Sequence, residues 1–140
     1  MAMTTFSGPV RSIGGFMGAS TAYIIGAGVT AANLDATGSY VLLSAANGGP
    51  TAAVTMTLPQ VQSGTFTTTS QPADPRYDGA QGAVFNEGAV TGTLKGYGSQ
   101  PINGSVTGVE VPPSSVVQWK GNGNQAAPWV AVVNTLATPL

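Results

Sequence analysis

Histidine and cysteine are absent from this chain, and charge is scarce: four basic and five acidic side chains among 140 residues, for a net charge of −1. A soluble domain ordinarily carries roughly a quarter charged residues. Without histidine, no serine can be activated as in a Ser-His-Asp triad. Without cysteine there is no thiol nucleophile, no disulfide framework and no thiolate metal site. The basic residues Arg11, Arg76, Lys95 and Lys120 are scattered. They form no basic stripe of the kind that binds nucleic acid, so nucleic acid is not an expected partner. No run approaches the roughly 20 apolar residues of a membrane-spanning helix. The longest candidate, Ala22 to Ala32, is too short and holds two glycines. Neither a membrane nor an export signal is expected.

Hydrophobic residues make up 42% of the chain, with 20 glycines and 10 prolines. That is too apolar for compositional disorder and too rich in turn residues for long helices. A near-neutral chain has little electrostatic repulsion to keep its copies apart. The composition therefore suits a part that packs against copies of itself or against a larger partner.

Two regions differ in pattern. Over residues 1–33, single large apolar residues sit between glycines and prolines with neither helical nor strand periodicity. The expectation is an extended N-terminal arm. Phe6, Pro9, Val10, Ile13 and Phe16 are its candidate partner contacts. Residues 34–140 are expected to form a β-domain. Tyr40 to Leu43 is a short apolar run closed by Asn47-Gly48-Gly49-Pro50, and Val54, Met56 and Leu58 alternate with threonines until Pro59 stops the strand. Further strands are predicted at Thr65–Thr69, Ala83–Phe85, Ala89–Leu94, Val109–Val111, Val116–Lys120 and Trp129–Val133. Asn86-Glu87-Gly88 reads as a hairpin turn, and the last two strands read as antiparallel neighbours across Gly121-Asn122-Gly123-Asn124. About eight short strands with regular turns indicate an all-β, antiparallel sandwich or barrel. No repeat of fixed period stands out.

The chemistry-bearing motifs are thin. Gly26-Ala27-Gly28-Val29-Thr30-Ala31 follows a strand-like run in the manner of a dinucleotide fingerprint, but Asn33, Asp35, Thr37 and Gly38 are poor material for the helix that fingerprint needs. Asp74 and Asp78 are the one close carboxylate pair, with Arg76 between them, in a stretch of ordinary turn dipeptides. No catalytic residue, metal or cofactor is expected. Trp119 and Trp129 lie on alternating strands, where tryptophan packs in a core or between subunits. Phe85 and Ile102 are assigned with them. The alternative for the tryptophans, with Tyr77 and Tyr97, is stacking against sugar.

The order Ala83-Val84-Phe85-Asn86-Glu87-Gly88, Gly98-Ser99-Gln100-Pro101-Ile102-Asn103-Gly104-Ser105, Val116 to Lys120, Gly121-Asn122-Gly123 and Trp129-Val130-Ala131-Val132, preceded by Thr57-Leu58-Pro59, resembles a small β-domain of tailed-bacteriophage virion proteins. The opening Thr5-Phe6-Ser7-Gly8-Pro9-Val10 with Gly14-Gly15-Phe16 looks like the N-terminus of small capsid-associated proteins of that group. The 70–82 loop departs from the pattern. The resemblance implies a head decoration or cement protein: a β-sandwich or jelly-roll-like module, trimeric, on the capsid surface of the virion. The major capsid protein would be its partner, with assembly in the host cytoplasm. A tail- or fibre-associated carbohydrate-binding module is the second reading.

Overall fold

The structure, a computed structural model, describes residues 22–61, 77, 79–124 and 126–138. Nine strands are present among them: β1 (Ala22–Ile25), β2 (Ala31–Asn33), β3 (Ser39–Leu42), β4 (Thr55–Thr57), β5 (Gln81–Asn86), β6 (Gly92–Lys95), β7 (Val109–Val111), β8 (Ser115–Gly121) and β9 (Trp129–Thr135). The only helical element described is a single 3₁₀ turn, Ala45–Asn47. The strands form a five-stranded sheet in the order β1-β3-β5-β8-β9 and a four-stranded sheet in the order β2-β4-β6-β7. The described residues are all-β, and neither sheet closes into a barrel among them.

The pairing is mixed, which corrects the antiparallel expectation. From β1 to β6 the chain alternates between sheets, so neighbours within a sheet come from successive passes in the same direction. β1, β3 and β5 are therefore parallel, as are β2, β4 and β6. Only β7, β8 and β9 add antiparallel partners. The last two strands pair as predicted, with Trp119 opposite Ala131.

The segment assigned to an arm also meets the sheets. Residues 22–33 supply β1 and β2, one strand to each sheet. Phe6, Pro9, Val10, Ile13 and Phe16 lie outside the described residues, as do the predicted strand at Thr65–Thr69 and the pair Asp74 and Asp78. Gly26 to Thr30 is the turn between β1 and β2, in which Gly28 takes φ 79°, and it is followed by a strand, not a helix.

The turn at Asn86 is not a hairpin, because β5 and β6 belong to different sheets. Asn86 is fully buried at the crossing. Its Nδ2 donates to Val90 O at 2.7 Å and to Val111 O at 3.0 Å, and its Oδ1 accepts from Gly88 N at 3.0 Å. The side chain thus steers the chain out of one sheet and ties β7 of the other to the same corner. A buried amide this well satisfied is stable where an unpaired one would cost heavily.

Inward residues of both sheets belong to one apolar cluster. Tyr40, Leu42, Val84, Val117 and Trp119 come from the five-stranded sheet. Met56, Leu94 and Val111 come from the four-stranded sheet, with Leu34, Val54, Leu58, Val61, Ile102 and Trp129 around them. Strand alternation explains the selection: in β8, Ser115, Val117, Trp119 and Gly121 are buried while Gln118 and Lys120 face out. Trp119 lies across Gly82, its register partner on β5. A methyl at Gly82 would stand 2.2 Å from the indole and 2.7 Å from Gly38 O. The missing side chain lets the ring reach Tyr40, centroids 6.5 Å apart, and donate Nε1–H to Ala36 O at 2.8 Å.

Asn86→Ala should lower the free energy of unfolding by about 2–4 kcal/mol, because it strands buried carbonyl and amide groups. Urea titration of both proteins measures the difference.

Candidate functional site

The outward side of the five-stranded sheet carries one apolar row and two mixed ones, where solvent would favour polar residues throughout. One register row carries Ile24, Val41, Phe85 and Val116 across four strands and ends at Asn134. The next carries Ser39, Ala83, Gln118 and Val132, and a third Gln81, Lys120 and Val130. Ile24 is 65% exposed, Val132 59% and Val130 43%. Lys120 is the one charged residue in these rows. A shallow depression of about 530 Å³ runs over Ser39, Ala83, Phe85, Gln118, Lys120 and Val132. The row from Ile24 to Val116 is apolar, and Gln81, Gln118 and Lys120 lie among the other outward residues on β5 and β8, which makes this partly apolar face a candidate interaction surface.

The residues singled out in the sequence fall into separate places. Ile102, Trp119 and Trp129 are buried in the core, and Phe85 is half-buried in the outer row. Tyr77 packs on Trp129 with ring centroids 5.8 Å apart. Both indoles are thus enclosed, and neither offers a stacking platform. Tyr97 is exposed elsewhere, beside a separate depression lined by Gln60, Ser99 and Gln100. Trp129 Nε1 is buried without a partner among the described residues. Among those residues no cluster of His, Cys, Asp and Glu could hold a metal ion, and no helix is long and apolar enough to cross a membrane.

Apart from Phe85, the outer row went unassigned in the sequence. Its signal was present: Tyr40 to Leu43, Val116-Val117 and Trp129 to Val133 are continuous apolar runs, the pattern of strands covered on both faces.

Directly behind this face, Tyr23 stacks on Tyr40 at 5.3 Å between centroids. Burial pushes the Tyr40 phenol above its usual pKa. The hydrogen bond that Asp35 N donates to its oxygen at 2.6 Å opposes the shift, and the nearby Asp35 carboxylate and Tyr23 add to it.

No family model, curated protein or solved structure matches this chain. The apolar face therefore stands on its geometry.

The shift at Tyr40 sets an alkaline limit on stability. The folded pKa exceeds the unfolded value of 10.0, so the neutral phenol's contribution is complete below that pH and is lost as pH rises through the folded pKa. Thermal unfolding followed from about pH 8 to 11 should show this loss. In Tyr40→Phe it should be flatter, with about 1 kcal/mol less stability at neutral pH because Asp35 N–H loses its acceptor.

Proposed function

We propose that this protein is a structural component of a tailed-phage virion, a decoration protein that docks on the head shell through the outer face of its five-stranded sheet. The carrying observation is that face: Ile24, Val41, Phe85, Val116, Val130 and Val132 arrayed in register, with Lys120 as the one charge. Removing this surface from water supplies about 25 cal/mol per Å² of apolar area. With so few charges nearby, docking desolvates almost none, which is the costly term.

In this reading the two sheets form a β-sandwich whose inner faces share the core, and the outer face is free for the shell. The N-terminal arm, with Phe6, Pro9, Val10, Ile13 and Phe16, adds a second attachment to the major capsid protein. Two weak attachments joined in one chain bind far more tightly than either alone. A protein that binds the assembled shell and not its dissociated subunits stabilises the shell by mass action. The protein is a homo-oligomer on the particle, with no enzymatic role. The order of short motifs from Ala83 to Val132 supports the phage assignment through resemblance, and the scarcity of charge supports the role.

Co-sedimentation of the purified chain with expanded, undecorated heads of its own virus tests the proposal. Wild type should pellet with the heads. The double substitution Ile24→Asp and Val132→Asp lies on the surface and should keep the wild-type circular dichroism, since exposed substitutions shift stability by only about 0.5 kcal/mol. Its affinity for heads should fall on the order of 100-fold, because two carboxylates would be buried against the shell. Equal pelleting of the variant, or binding to host polysaccharide with none to heads, would overturn the reading.

A further inference from the structure

The edge strand β9 carries a second surface. In the β8–β9 ladder, Asn122 N donates to Pro128 O at 2.9 Å and Leu136 N donates to Ser114 O at 2.8 Å. These bonds fix the phase of the antiparallel pair. The even-numbered residues Val130, Val132 and Asn134 bond to β8, and the odd-numbered Trp129, Ala131, Val133 and Thr135 turn their N–H and C=O to the far side. No strand lies there among the described residues.

Half of this edge is closed by one residue. Asn103 N donates to Trp129 O at 3.1 Å, its Nδ2 donates to Ala131 O at 2.8 Å, and its Oδ1 accepts from Ala131 N at 2.9 Å. The side-chain amide stands in for one peptide of a neighbouring strand. Beyond it, the outward groups of Val133 and Thr135 meet no described residue. Val132 and Val133, on opposite faces of the strand, are 59% and 47% exposed. Natural edges are guarded by lysine, proline or a bulge. Here no ionisable side chain occurs from Gly121 to Leu140.

We propose that two copies of this chain join β9 to β9, antiparallel, about a two-fold axis at Asn134. The open edge is self-complementary. Val133 of one protomer faces Thr135 of the other and exchanges both backbone hydrogen bonds with it, and the axis repeats the exchange. Val132 comes opposite Leu136, and the two Asn134 amides meet side by side. Asn103 limits the choice of register: moving the axis to Val133 would set Thr135 of the other protomer against Ala131, whose groups Asn103 already holds, whereas here only Ala137 of the other protomer, beyond the end of β9, comes level with Ala131. The lack of charge selects the occupant: a copy meets no like-charge repulsion, and an acidic or basic partner finds nothing to pair with. The contact is two-fold where the family resemblance implies a three-fold, and it does not rest on shell binding, since a dimer of this kind forms in solution.

Because the chain has no cysteine, Asn134→Cys in the full-length protein introduces a single thiol. At the axis it occupies a non-hydrogen-bonded antiparallel pair, whose Cα atoms lie about 4.5 Å apart, within the span of a disulfide. Mild oxidation should convert it to a covalent dimer at least about tenfold faster than Val130→Cys, whose two copies would stand roughly 27 Å apart at about 3.4 Å per residue. Wild type should sediment at twice the protomer mass. Val133→Pro removes an outward N–H, which an edge strand tolerates, and should sediment as a folded monomer. The proposal is overturned if the Asn134→Cys protein cross-links no faster than the Val130→Cys protein, or if wild type sediments as a monomer. It is equally overturned by a larger oligomer in which the thiol of Asn134→Cys stays free. If Val133→Pro fails to fold, the cross-linking rates decide alone.

Discussion

Asn86 stands at the corner where the chain leaves the five-stranded sheet for the last time before β8, and the arrangement of both sheets passes through its three hydrogen bonds. Holding Val90 O brings the chain across to β6, and holding Val111 O draws the end of β7 to the same point. β8 then starts close to β5 and pairs with it from Ser115 opposite Asn86 to Lys120 opposite Gln81. That pairing makes the fourth strand of the larger sheet, and β9 follows as the fifth. The outer face and the open edge both exist because β8 is delivered there. An apolar residue at 86 would pack, but it would leave the crossing's carbonyls to find other donors in a place water does not reach.

A second constraint divides the large side chains between the two faces of the same sheet. Trp119 needs the empty space over Gly82 and the carbonyl of Ala36, both on the inner side. Tyr40 follows it inward, and Tyr23 stacks behind Tyr40. The outer face carries valine, isoleucine and alanine beside Ser39, Gln81, Gln118, Lys120 and Asn134, with Phe85 the one aromatic side chain in its rows. Small branched residues on successive strands make a flat, stiff surface with little side-chain entropy to lose on docking.

The strands of the antiparallel end were legible because their signals are local. Val116 to Lys120 and Trp129 to Val133 are rich in β-branched and aromatic residues and flank a glycine–asparagine turn, so both the elements and their pairing follow from neighbouring residues. The parallel part was not, and the reason is physical. Ala22 pairs with Ser39, and Ser39 with Ala83. These spacings are unequal, so stacking of successive passes leaves no repeat in the sequence. Asn86-Glu87-Gly88 has the composition of a hairpin turn, and what makes it a crossing, the pairing of β5 and β6 in different sheets and the bond from Asn86 to Val111, lies far along the chain. The strands at residues 22–25 and 31–33 were missed for a related cause. β1 and β2 are short and glycine-flanked, and they gain their order from parallel partners further along the chain. The outer face lay hidden in runs such as Tyr40 to Leu43, where an apolar residue at every position says that both sides are covered but not by what.

Few charges, a partly apolar face and an edge with no partner strand among the described residues together pose a problem that the same residues answer. Such a chain would be expected to associate without limit, since open edges that pair head to tail build filaments. β1 and β9 run in the same direction at opposite borders of one sheet, the geometry that would permit that growth. Asn103 works against it. By occupying the peptide groups of Trp129 and Ala131, it shortens the available edge to the residues around Asn134. A short strand such as β1 added in parallel would have only Val133 and Thr135 to bond. An antiparallel copy of the same short edge satisfies those groups reciprocally and leaves none over. Closure then comes from one polar side chain that limits the edge, and restraint by charge is not needed. The outer face remains continuous through such a pair and doubles in extent, so the association that removes the edge from solvent enlarges the surface offered to a shell.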